Sequence, residues 1–250
     1  MSYEQFAYLY DELMQDAPYD EWVRFVKEKL DKYQVDGKSL LDLACGTGEL
    51  SVRFAKEGFS VTGVDLSADM LAVAQAKAQE EGLNIPFFEQ DMANLEGHGE
   101  FDIIGIFCDS LNYLKSDLDV IHTFSCALEH LKDSGILFFD VHSTYKISQL
   151  FIDQTFTMAE DHLSYIWNSF AGELPNSVEH ELSFFVLDEQ TGKYDRFDEL
   201  HYQRTYSVQQ YSAWLEQAGF EILEVSADFQ PTDPQPNSER IFFIARKKPS

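Results

Sequence analysis

The sequence predicts a doubly wound α/β domain, in which helices cover both faces of a largely parallel sheet, interrupted by a small antiparallel β insert. As far as about Ser143, segments of strand-like and helical character alternate along the chain. Several of the strand-like segments are continuously apolar, which is typical of parallel strands buried on both faces. After Ser143 the alternation stops, and extended segments follow one another.

The first half of the chain supplies most of the predicted sheet. The first helix runs from Tyr19 to about Tyr33, because apolar side chains recur there at helical spacing. Ser67 is a suitable N-cap for a later helix, and Gly82 ends that helix. The strands predicted in this half are Ser39 to Ala44, Ser60 to Asp65, Phe87 to Gln90, Phe101 to Phe107 and Gly135 to Val141, with further helices at Gly48 to Lys56 and Leu118 to Leu131.

The middle of the chain predicts an antiparallel hairpin. Two extended segments, Val178 to Leu187 and Lys193 to Tyr206, flank a turn-forming stretch that ends at Gly192. A further extended segment, Leu163 to Ala171, precedes them. These segments form the predicted insert.

The last part of the chain returns to the α/β pattern. Ser207 is a good N-cap for a helix that ends at Gly219, and strands are predicted at Phe220 to Ala227 and Arg240 to Arg246. We therefore assign residues 1–145 and 205–250 to the main domain, and residues 146–204 to an inserted lid or substrate subdomain.

The composition is that of a folded, strongly acidic protein. The chain has 44% hydrophobic residues, and its 44 acidic and 18 basic residues give a formal net charge of −26. A surface of this sign repels phosphate backbones, so nucleic acid is not expected as a substrate or partner. A neutral or cationic small molecule is accepted more easily.

No segment indicates export, membrane insertion or metal binding. The N-terminus has no basic region followed by an apolar stretch, and no apolar run approaches the roughly 18 residues of a bilayer span. Three cysteines cannot all pair within one chain, and neither they nor the seven histidines have metal-site spacing. We expect a cytoplasmic protein that uses no metal ion.

A glycine-rich turn, Asp42 to Gly48, stands between a predicted buried strand and a predicted helix. Glycine lets backbone amides approach a ligand without an intervening Cβ, and the helix N-terminus favours negative charge. Alone, such a turn indicates only a nucleotide site. The carboxylate of Asp42 would repel a pyrophosphate, whereas it suits a ligand that carries an ammonium group and a sulfonium.

Two further carboxylates follow the next two strands. Asp65 ends the second strand, where an acid can accept hydrogen bonds from both hydroxyls of a ribose. Asp91 follows the third strand and can accept from the exocyclic amine of adenine, with Met92 or Leu66 against the ring. Ligands of open α/β sheets bind at this edge, so the three acids favour a single nucleoside-containing ligand.

These motifs resemble those of the class I S-adenosylmethionine-dependent methyltransferases. Asp42 to Gly48 resembles the first motif of that family, and Val64-Asp65 and Gln90-Asp91-Met92 resemble the second and third. The sequence looks most like small bacterial proteins of the YqeM type, and it is also similar to amino-sugar and glycine N-methyltransferases. The resemblance implies a Rossmann-like sheet of seven strands whose last strand is antiparallel.

The resemblance also implies a cofactor, S-adenosyl-L-methionine, and a set of contacts to it. The residues expected to contact the cofactor are Tyr10, Asp42, Ala44, Cys45, Gly46, Gly48, Asp65, Leu66, Met70, Gln90, Asp91, Met92 and Cys108.

The acceptor of the methyl group is expected beside the end of the fourth strand, where Asp109, Asn112 and Tyr113 are candidate catalytic contacts. His142, at the end of the fifth strand, is a candidate proton acceptor near neutral pH. Capping of a turn stays open for Asp109, and simple packing stays open for Tyr113. For His142, hydrogen bonding to a loop carbonyl is favoured over the role of proton acceptor.

The N-terminal segment is unusually aromatic. Tyr3, Phe6 and Tyr10 share one face at helical spacing. The resemblance suggests a lid over the methionine end of the cofactor, with Tyr10 nearest to it. Packing of the helix on the domain is an equal alternative.

The insert carries its own pattern. On its last strand one face holds Leu200, Tyr202, Arg204 and Tyr206, with Trp167 and Phe184 expected nearby. Such a face is suited to roofing an acceptor pocket, and equally to a contact between two copies in a homodimer. For Arg204, a salt bridge to a local acid is favoured over a contact with a substrate carboxylate.

We therefore expect a methyltransferase that acts on an amine or hydroxyl of a small molecule by direct in-line transfer. A nucleotide-dependent oxidoreductase is disfavoured by Asp42, and by Ser51 at the place where a third glycine or alanine is expected. A non-catalytic protein that binds S-adenosylmethionine for regulation or assembly is the remaining alternative.

Overall fold

The structure is a computed structural model that describes residues 9–248. Its strands are β1 (Ser39–Leu43), β2 (Ser60–Asp65), β3 (Phe87–Glu89), β4 (Phe101–Ile106), β5 (Leu131–His142), β6 (Gln154–Ala159), β7 (Leu163–Ala171), β8 (Ser177–Asp188), β9 (Lys193–Arg204), β10 (Phe220–Ala227) and β11 (Arg240–Lys247). Its helices are α1 (Tyr19–Tyr33), α2 (Glu49–Lys56), α3 (Ala68–Glu80), α4 (Asp117–His130) and α5 (Val208–Ala218). Residues 9–13 are also helical.

Seven strands form the main sheet, in the order β10-β11-β5-β4-β1-β2-β3. The five strands from β5 to β3 pair in parallel, and β11 pairs antiparallel with both β5 and β10. The predicted doubly wound sheet with an antiparallel last strand is therefore confirmed. The order reverses beside β1, so the carboxyl ends of β1 and β4 frame a crevice where ligands of such sheets bind.

The core lies on both faces of this sheet. Adjacent residues of β1 point to opposite faces, so Leu40 and Leu41 are both completely buried but belong to different apolar clusters. Trp22 of α1 and Phe54 of α2 pack on the side of Leu40, and Phe124 of α4 packs on the side of Leu41. This double burial is the physical reason for the continuously apolar strands.

Side-chain caps set the starts of several helices. The Oγ atom of Ser67 accepts a hydrogen bond from the backbone of Met70 at the start of α3, and Ser207 does the same for Gln210 at the start of α5. Gly219 ends α5 in the left-handed conformation, with φ of 108°. The caps predicted at Ser67, Ser207 and Gly219 are confirmed.

The insert is a separate antiparallel sheet in the order β6-β7-β8-β9. The hairpin of β8 and β9 was predicted, whereas two elements were missed: the edge strand β6 and a π-type helical turn, Lys146–Phe151, that leads into it. Both are short. β6 is mostly exposed and so presents no buried apolar face, and the six-residue turn is shorter than the window in which helical periodicity is read.

Candidate active site

A cavity of about 1010 Å³ lies between the carboxyl edge of the main sheet and the insert. Its floor includes the ends of β1, β2, β4 and β5, and its roof is one face of β7, β8 and β9. Every residue predicted to contact the cofactor, except Gly48, lines this cavity: Tyr10, Asp42, Ala44, Cys45, Gly46, Asp65, Leu66, Met70, Gln90, Asp91, Met92 and Cys108.

Gly48 supports the turn from below. It has φ of +73°, and a Cβ atom at this position would lie 2.8 Å from the Cβ atom of Ala74 in α3. Glycine is therefore needed here so that the turn can pack on α3. A direct contact between Gly48 and a ligand in the cavity has no basis in this geometry.

The glycine turn is held by Asp65. The carboxylate of Asp65 accepts a hydrogen bond of 2.8 Å from the backbone N–H of Gly46 and one of 2.9 Å from that of Ser67. Gly46 has φ of +54°, and a Cβ atom there would meet nothing within 4 Å. The turn thus presents bare backbone to the open cavity, with a carboxylate at its side.

Asp42 is buried beneath the same turn. Its Oδ2 atom accepts a hydrogen bond of 2.5 Å from the hydroxyl of Ser51. Burial raises the pKa of Asp42 to about 7, and the nearby charge of Asp65 acts in the same direction. Because no cation among the described residues pairs with this carboxylate, a bound ammonium group would favour its ionised form.

One side of the cavity is shaped by β3 and the turn after it. Asp91 caps the short helical turn Met92–Asn94 by accepting from the backbone of Ala93 at 2.9 Å. The side chain of Gln90 is bonded to the backbone of Glu96, so it braces the loop. Leu66 is 69% exposed although it lines the cavity, which suits contact with a flat apolar ring.

After β4 the chain turns through two consecutive left-handed residues, Cys108 with φ of 54° and Asp109 with φ of 53°. This conformation is uncommon for residues other than glycine. The carboxylate of Asp140, which is completely buried in β5, accepts hydrogen bonds of 3.0 Å from both of their backbone N–H groups. Asp140 therefore holds the turn that carries Asp109 into the cavity.

A buried ion cluster surrounds this turn. Arg240 of β11 donates to Asp140, and its Nη2 atom lies 2.9 Å from the Oδ1 atom of Asp109. The Nε1 atom of Trp22 donates to Asp140 at 2.8 Å. Burial alone would raise the pKa of Asp109, but His142 and Arg240 lower it well below its usual range. The ion pair with Arg240 thus favours the ionised form of Asp109.

His142 faces Asp109 across the cavity floor, with Nε2 of the imidazole 3.2 Å from Oδ2 of the carboxylate. Burial lowers the pKa of His142 and outweighs the opposite effect of Asp109. A neutral imidazole beside an ionised carboxylate carries its proton on Nε2. Nδ1 is then a lone-pair acceptor, and among the described residues it has no hydrogen-bond partner.

Asn112 does not line the cavity. Its Oδ1 atom accepts from the backbone N–H of His142 at 2.8 Å, and its Nδ2 atom donates to the backbone oxygen of Arg204 at 2.9 Å. Its side chain joins the fifth strand to the insert, so we assign it a role in holding His142 rather than the acceptor contact expected from the sequence. Tyr113 does line the cavity.

A chain of hydrogen bonds links the insert to Asp109. The Nε1 atom of Trp167 can only donate, and it lies 2.9 Å from Nδ1 of His180. The proton of His180 is therefore on Nε2, which faces Oε1 of Gln203 at 3.3 Å. Gln203 in turn donates from Nε2 to Asp109 at 2.8 Å. Because burial lowers the pKa of His180 to about 4, this orientation is kept at neutral pH.

The roof uses the opposite face of β9 from the one predicted. His201 and Gln203 line the cavity, whereas Leu200 is 69% exposed on the other side. A strand in a sheet with two mixed faces gives no sequence signal for which face is turned inward. Trp167 and Phe184 do line the cavity, as expected. The expected salt bridge of Arg204 is confirmed, with Asp117 at 2.9 Å.

The helical residues 9–13 close one side of the cavity through Tyr10 and Leu13. Asp11 accepts from the hydroxyl of Thr47 in the glycine turn at 2.5 Å and pairs with Lys77 of α3 at 2.8 Å. Tyr3 and Phe6 lie outside the described residues. The position of Tyr10 is compatible with the predicted lid.

The same segment also reaches the insert. Glu12 pairs with His162 at the turn between β6 and β7, and Leu13 packs in a cluster with Leu163 of β7. The N-terminal segment therefore connects the glycine turn to the roof.

Several residues of the site escaped the sequence prediction. Lys146, His180, Gln203, Asp140 and Arg240 belong to elements that meet only in the folded chain. Gln203 follows Tyr202 on a predicted strand and therefore lies on the opposite face from it. The period-two pattern thus identified the face of Gln203, but the roof of the cavity was assigned to the other face. The other four carried no local motif.

The residues around the glycine turn fit S-adenosylmethionine. The bare backbone at Gly46 leaves room for a ligand, and a cationic group on that ligand would stabilise the ionised form of the buried Asp42 carboxylate. A doubly wound sheet with an antiparallel last strand and this site defines the class of S-adenosylmethionine-dependent methyltransferases. Among residues 9–248, no helix is both long and apolar enough to cross a membrane.

Comparison with known proteins supports the assignment of the chain to this class. Residues 40–135 match the family model described as a methyltransferase domain. A protein of Geobacillus sp. (strain WCH70), named as a methyltransferase, is 56% identical over 99% of this chain and 100% of its own length. YqeM of Bacillus subtilis (strain 168), also named as a methyltransferase, is 50% identical over 99% of this chain and 98% of its own.

A solved structure is also similar over nearly the whole chain. It is that of an S-adenosylmethionine-dependent methyltransferase from Clostridium acetobutylicum ATCC 824, with 32% identity, a TM-score of 0.88 and coverage of 98% of both chains. The chain belongs to the YqeM-like family of S-adenosylmethionine-dependent methyltransferases. The alternative of a non-catalytic binding protein has no support from these relatives.

Proposed function

We propose that this enzyme methylates an amine or hydroxyl group of a small molecule, and that His142 accepts the proton which the acceptor group loses. The observation that carries the proposal is the lone-pair Nδ1 atom of His142, buried at the cavity wall with no described hydrogen-bond partner. Such an atom is suited to an N–H or O–H group.

The cavity favours a small acceptor. Its volume of about 1010 Å³ holds both a cofactor and a modest second molecule beneath one roof. The net charge of −26 disfavours a nucleic acid acceptor. We further propose that residues 146–204 act as the substrate-binding insert, since their β7, β8 and β9 faces line the acceptor half of the cavity.

The cofactor half is assigned to the glycine turn and the acids around it. Asp42 favours the ammonium group, Asp65 is placed to accept from the ribose, and Asp91 is placed near the adenine with Leu66 against the ring. These roles are supported by the lining positions of all four residues. S-adenosylmethionine, when bound, supplies an electrophilic methyl group on a sulfonium.

The chain then contributes orientation, exclusion of water and removal of a proton. Asp109 and Gln203 fix the His142 tautomer that leaves Nδ1 free to accept. Phe151 and the aromatic groups of the roof, such as Trp167, give the cavity apolar walls that favour exclusion of water when the ligands are bound. Positioning is the larger contribution, because an in-line displacement depends chiefly on the alignment of the reacting groups.

A methyl-transfer screen tests the proposal. The purified protein is incubated with S-adenosylmethionine and a panel of small amines, amino acids, amino sugars and phenols, and S-adenosylhomocysteine is measured. We expect acceptor-dependent product that falls about 100-fold in kcat for His142→Ala and is unchanged for the exposed control His122→Ala. Full activity of His142→Ala would remove the proton-accepting role, and no transfer across the panel would contradict a small-molecule acceptor.

A further inference from the structure

Lys146 is the only lysine or arginine among the described residues that line the cavity. It stands at the start of the turn Lys146–Phe151, with its backbone N–H bonded to the hydroxyl of Ser143 at 2.9 Å. The turn follows β5, so Lys146 lies four positions after His142 along the chain. Both residues line the acceptor half of the cavity.

The charge of Lys146 is poorly matched by the protein itself. Its nearest carboxylate oxygen is Oε2 of Glu239 at 3.8 Å, and the side chain of Glu239 is 54% exposed, whereas that of Lys146 is 19% exposed. Arg240, by contrast, has both of its buried carboxylate partners within hydrogen-bond distance. Burial and the charge of Arg240 lower the pKa of Lys146. Among the described residues, the ammonium group thus has no carboxylate within hydrogen-bond distance, and its Nζ atom lies over the ring of Phe151, 5.4 Å from the centroid.

The imidazoles that line the cavity do not compete for an anion. Burial lowers the pKa of His142, His180 and His201, so these imidazoles are neutral near pH 7. Phe151 and Trp167 complete an apolar wall. The acceptor half therefore combines one weakly paired lysine, neutral imidazoles and aromatic surfaces.

We infer that the methyl acceptor is a small aromatic or cyclic monocarboxylate, whose carboxylate binds Lys146 and whose amine or hydroxyl group faces Nδ1 of His142. This inference rests on the proposed function and names the substrate class for that site.

A carboxylate fits better than a phosphate. Lys146 offers a single point charge without the fork of an arginine, and the ionised Asp109 and the nearby Glu239 repel a second negative charge. One carboxylate balances one lysine. A phosphate dianion would bring a second negative charge close to Asp109 and Glu239.

Direct binding tests the inference without knowledge of the natural acceptor. The protein is saturated with S-adenosylhomocysteine and titrated by calorimetry with 4-aminobenzoate and 4-hydroxybenzoate, each beside its neutral primary amide. We expect at least one acid to bind about tenfold or more tightly than its amide. In Lys146→Met this preference disappears, and in Lys146→Arg most of it returns.

Lys193→Met is the matched control, since it removes the same charge from an exposed residue at the tip of the β8–β9 hairpin that does not line the cavity. It should keep the full preference. Retained binding of S-adenosylhomocysteine shows that each variant is folded.

The outcomes separate the two proposals. Equal binding of acids and amides, a preference that survives Lys146→Met, or no binding by any acid overturns the inference about Lys146. If amides are methylated and acids are not, the proposed function stands while this inference falls. If acids bind through Lys146 but His142→Ala transfers methyl groups normally, the anion site stands and the proton-accepting role falls.

Discussion

The Nη2 atom of Arg240 lies 2.9 Å from the Oδ1 atom of Asp109, and this contact joins the last strand of the main sheet to the wall of the cavity. The same guanidinium also pairs with Asp140, which holds the left-handed turn at Cys108 and Asp109. The position of the catalytic candidates therefore depends on a strand that is distant along the chain, since Arg240 is 131 residues from Asp109 and 100 residues from Asp140.

Replacement of Arg240 should destabilise the whole protein. In Arg240→Met two buried carboxylates lose their cation, which costs about 3–5 kcal/mol of unfolding free energy. Arg246→Met, on the same strand, breaks only the exposed pair with Glu221 and should cost less than about 1 kcal/mol. Urea denaturation measures both. Equal losses in the two variants would contradict the structural role of the buried cluster.

Asp42 should make the stability of the ligand-free enzyme depend on pH. Burial raises the pKa of Asp42 from 3.8 to about 7, so the folded protein holds a proton that the unfolded chain releases. The contribution of this group to stability is therefore complete below about pH 4 and is lost as the pH rises through about 7, to an upper limit of roughly 4 kcal/mol.

The asparagine side chain in Asp42→Asn cannot ionise, so the variant should not lose this stability as the pH rises. Without ligand, we expect the variant to gain stability over the wild type between about pH 5 and about pH 8 in chemical denaturation. Its affinity for S-adenosylhomocysteine should nevertheless fall, because the partner of the ammonium group has lost its charge. Parallel stability curves for the two proteins would show that Asp42 is ionised in the ligand-free fold.

Asp65→Ala should weaken binding of S-adenosylhomocysteine by about tenfold or more. The substitution removes the expected ribose contact and two hydrogen bonds that hold the glycine turn, each of which is worth about 1 kcal/mol or more to a charged acceptor. Calorimetry gives the affinity, and Asp31→Ala on the exposed side of α1 is the charge-matched control. An unchanged affinity would refute the role of Asp65.

Asp11→Ala should speed the release of S-adenosylhomocysteine. It removes the hydrogen bond to Thr47 and the ion pair with Lys77, so the segment that carries Tyr10 is no longer tied to the glycine turn. We expect the dissociation rate to rise about 3- to 10-fold in stopped-flow fluorescence. Asp16→Ala, an exposed acid just beyond this segment, should leave the rate unchanged.

The imidazole of His142 should be visible as the Nε2–H tautomer by long-range proton–nitrogen NMR. Because burial lowers its pKa, it should stay neutral at about pH 6.5, where an ordinary histidine is half protonated. His162 is an internal reference, since a hydrogen bond with Glu12 raises its pKa. A proton on Nδ1 of His142 at neutral pH would exclude the proposed proton transfer.

Local signals in the sequence were enough to predict the elements of the main sheet. The caps at Ser67 and Ser207 lie within three residues of the groups they bind, and the apolar strands report burial on both faces. The cofactor candidates were also predictable. The carboxyl ends of parallel strands share one edge, so residues such as Asp42, Asp65 and Asp91 must lie near each other once the strands are assigned.

The acceptor half could not be predicted in the same way. Its polarity depends on Trp167, His180 and Gln203, which reach Asp109 only because the insert folds back over the sheet. The face that β9 turns inward was predicted wrongly, since period-two alternation identifies two faces but not the one that is covered.

The sequence by itself determined the doubly wound fold, the glycine turn and the three acids that indicate the methyl donor, because each rests on local periodicity or on a motif of adjacent residues. The tertiary structure alone decided which tautomer His142 adopts, which charges are neutralised around Arg240, and which lysine is left facing the cavity. These properties depend on burial and on contacts between distant strands. A pattern along the sequence therefore does not reveal these properties, because they are set by hydrogen-bond geometry and by desolvation in the folded chain.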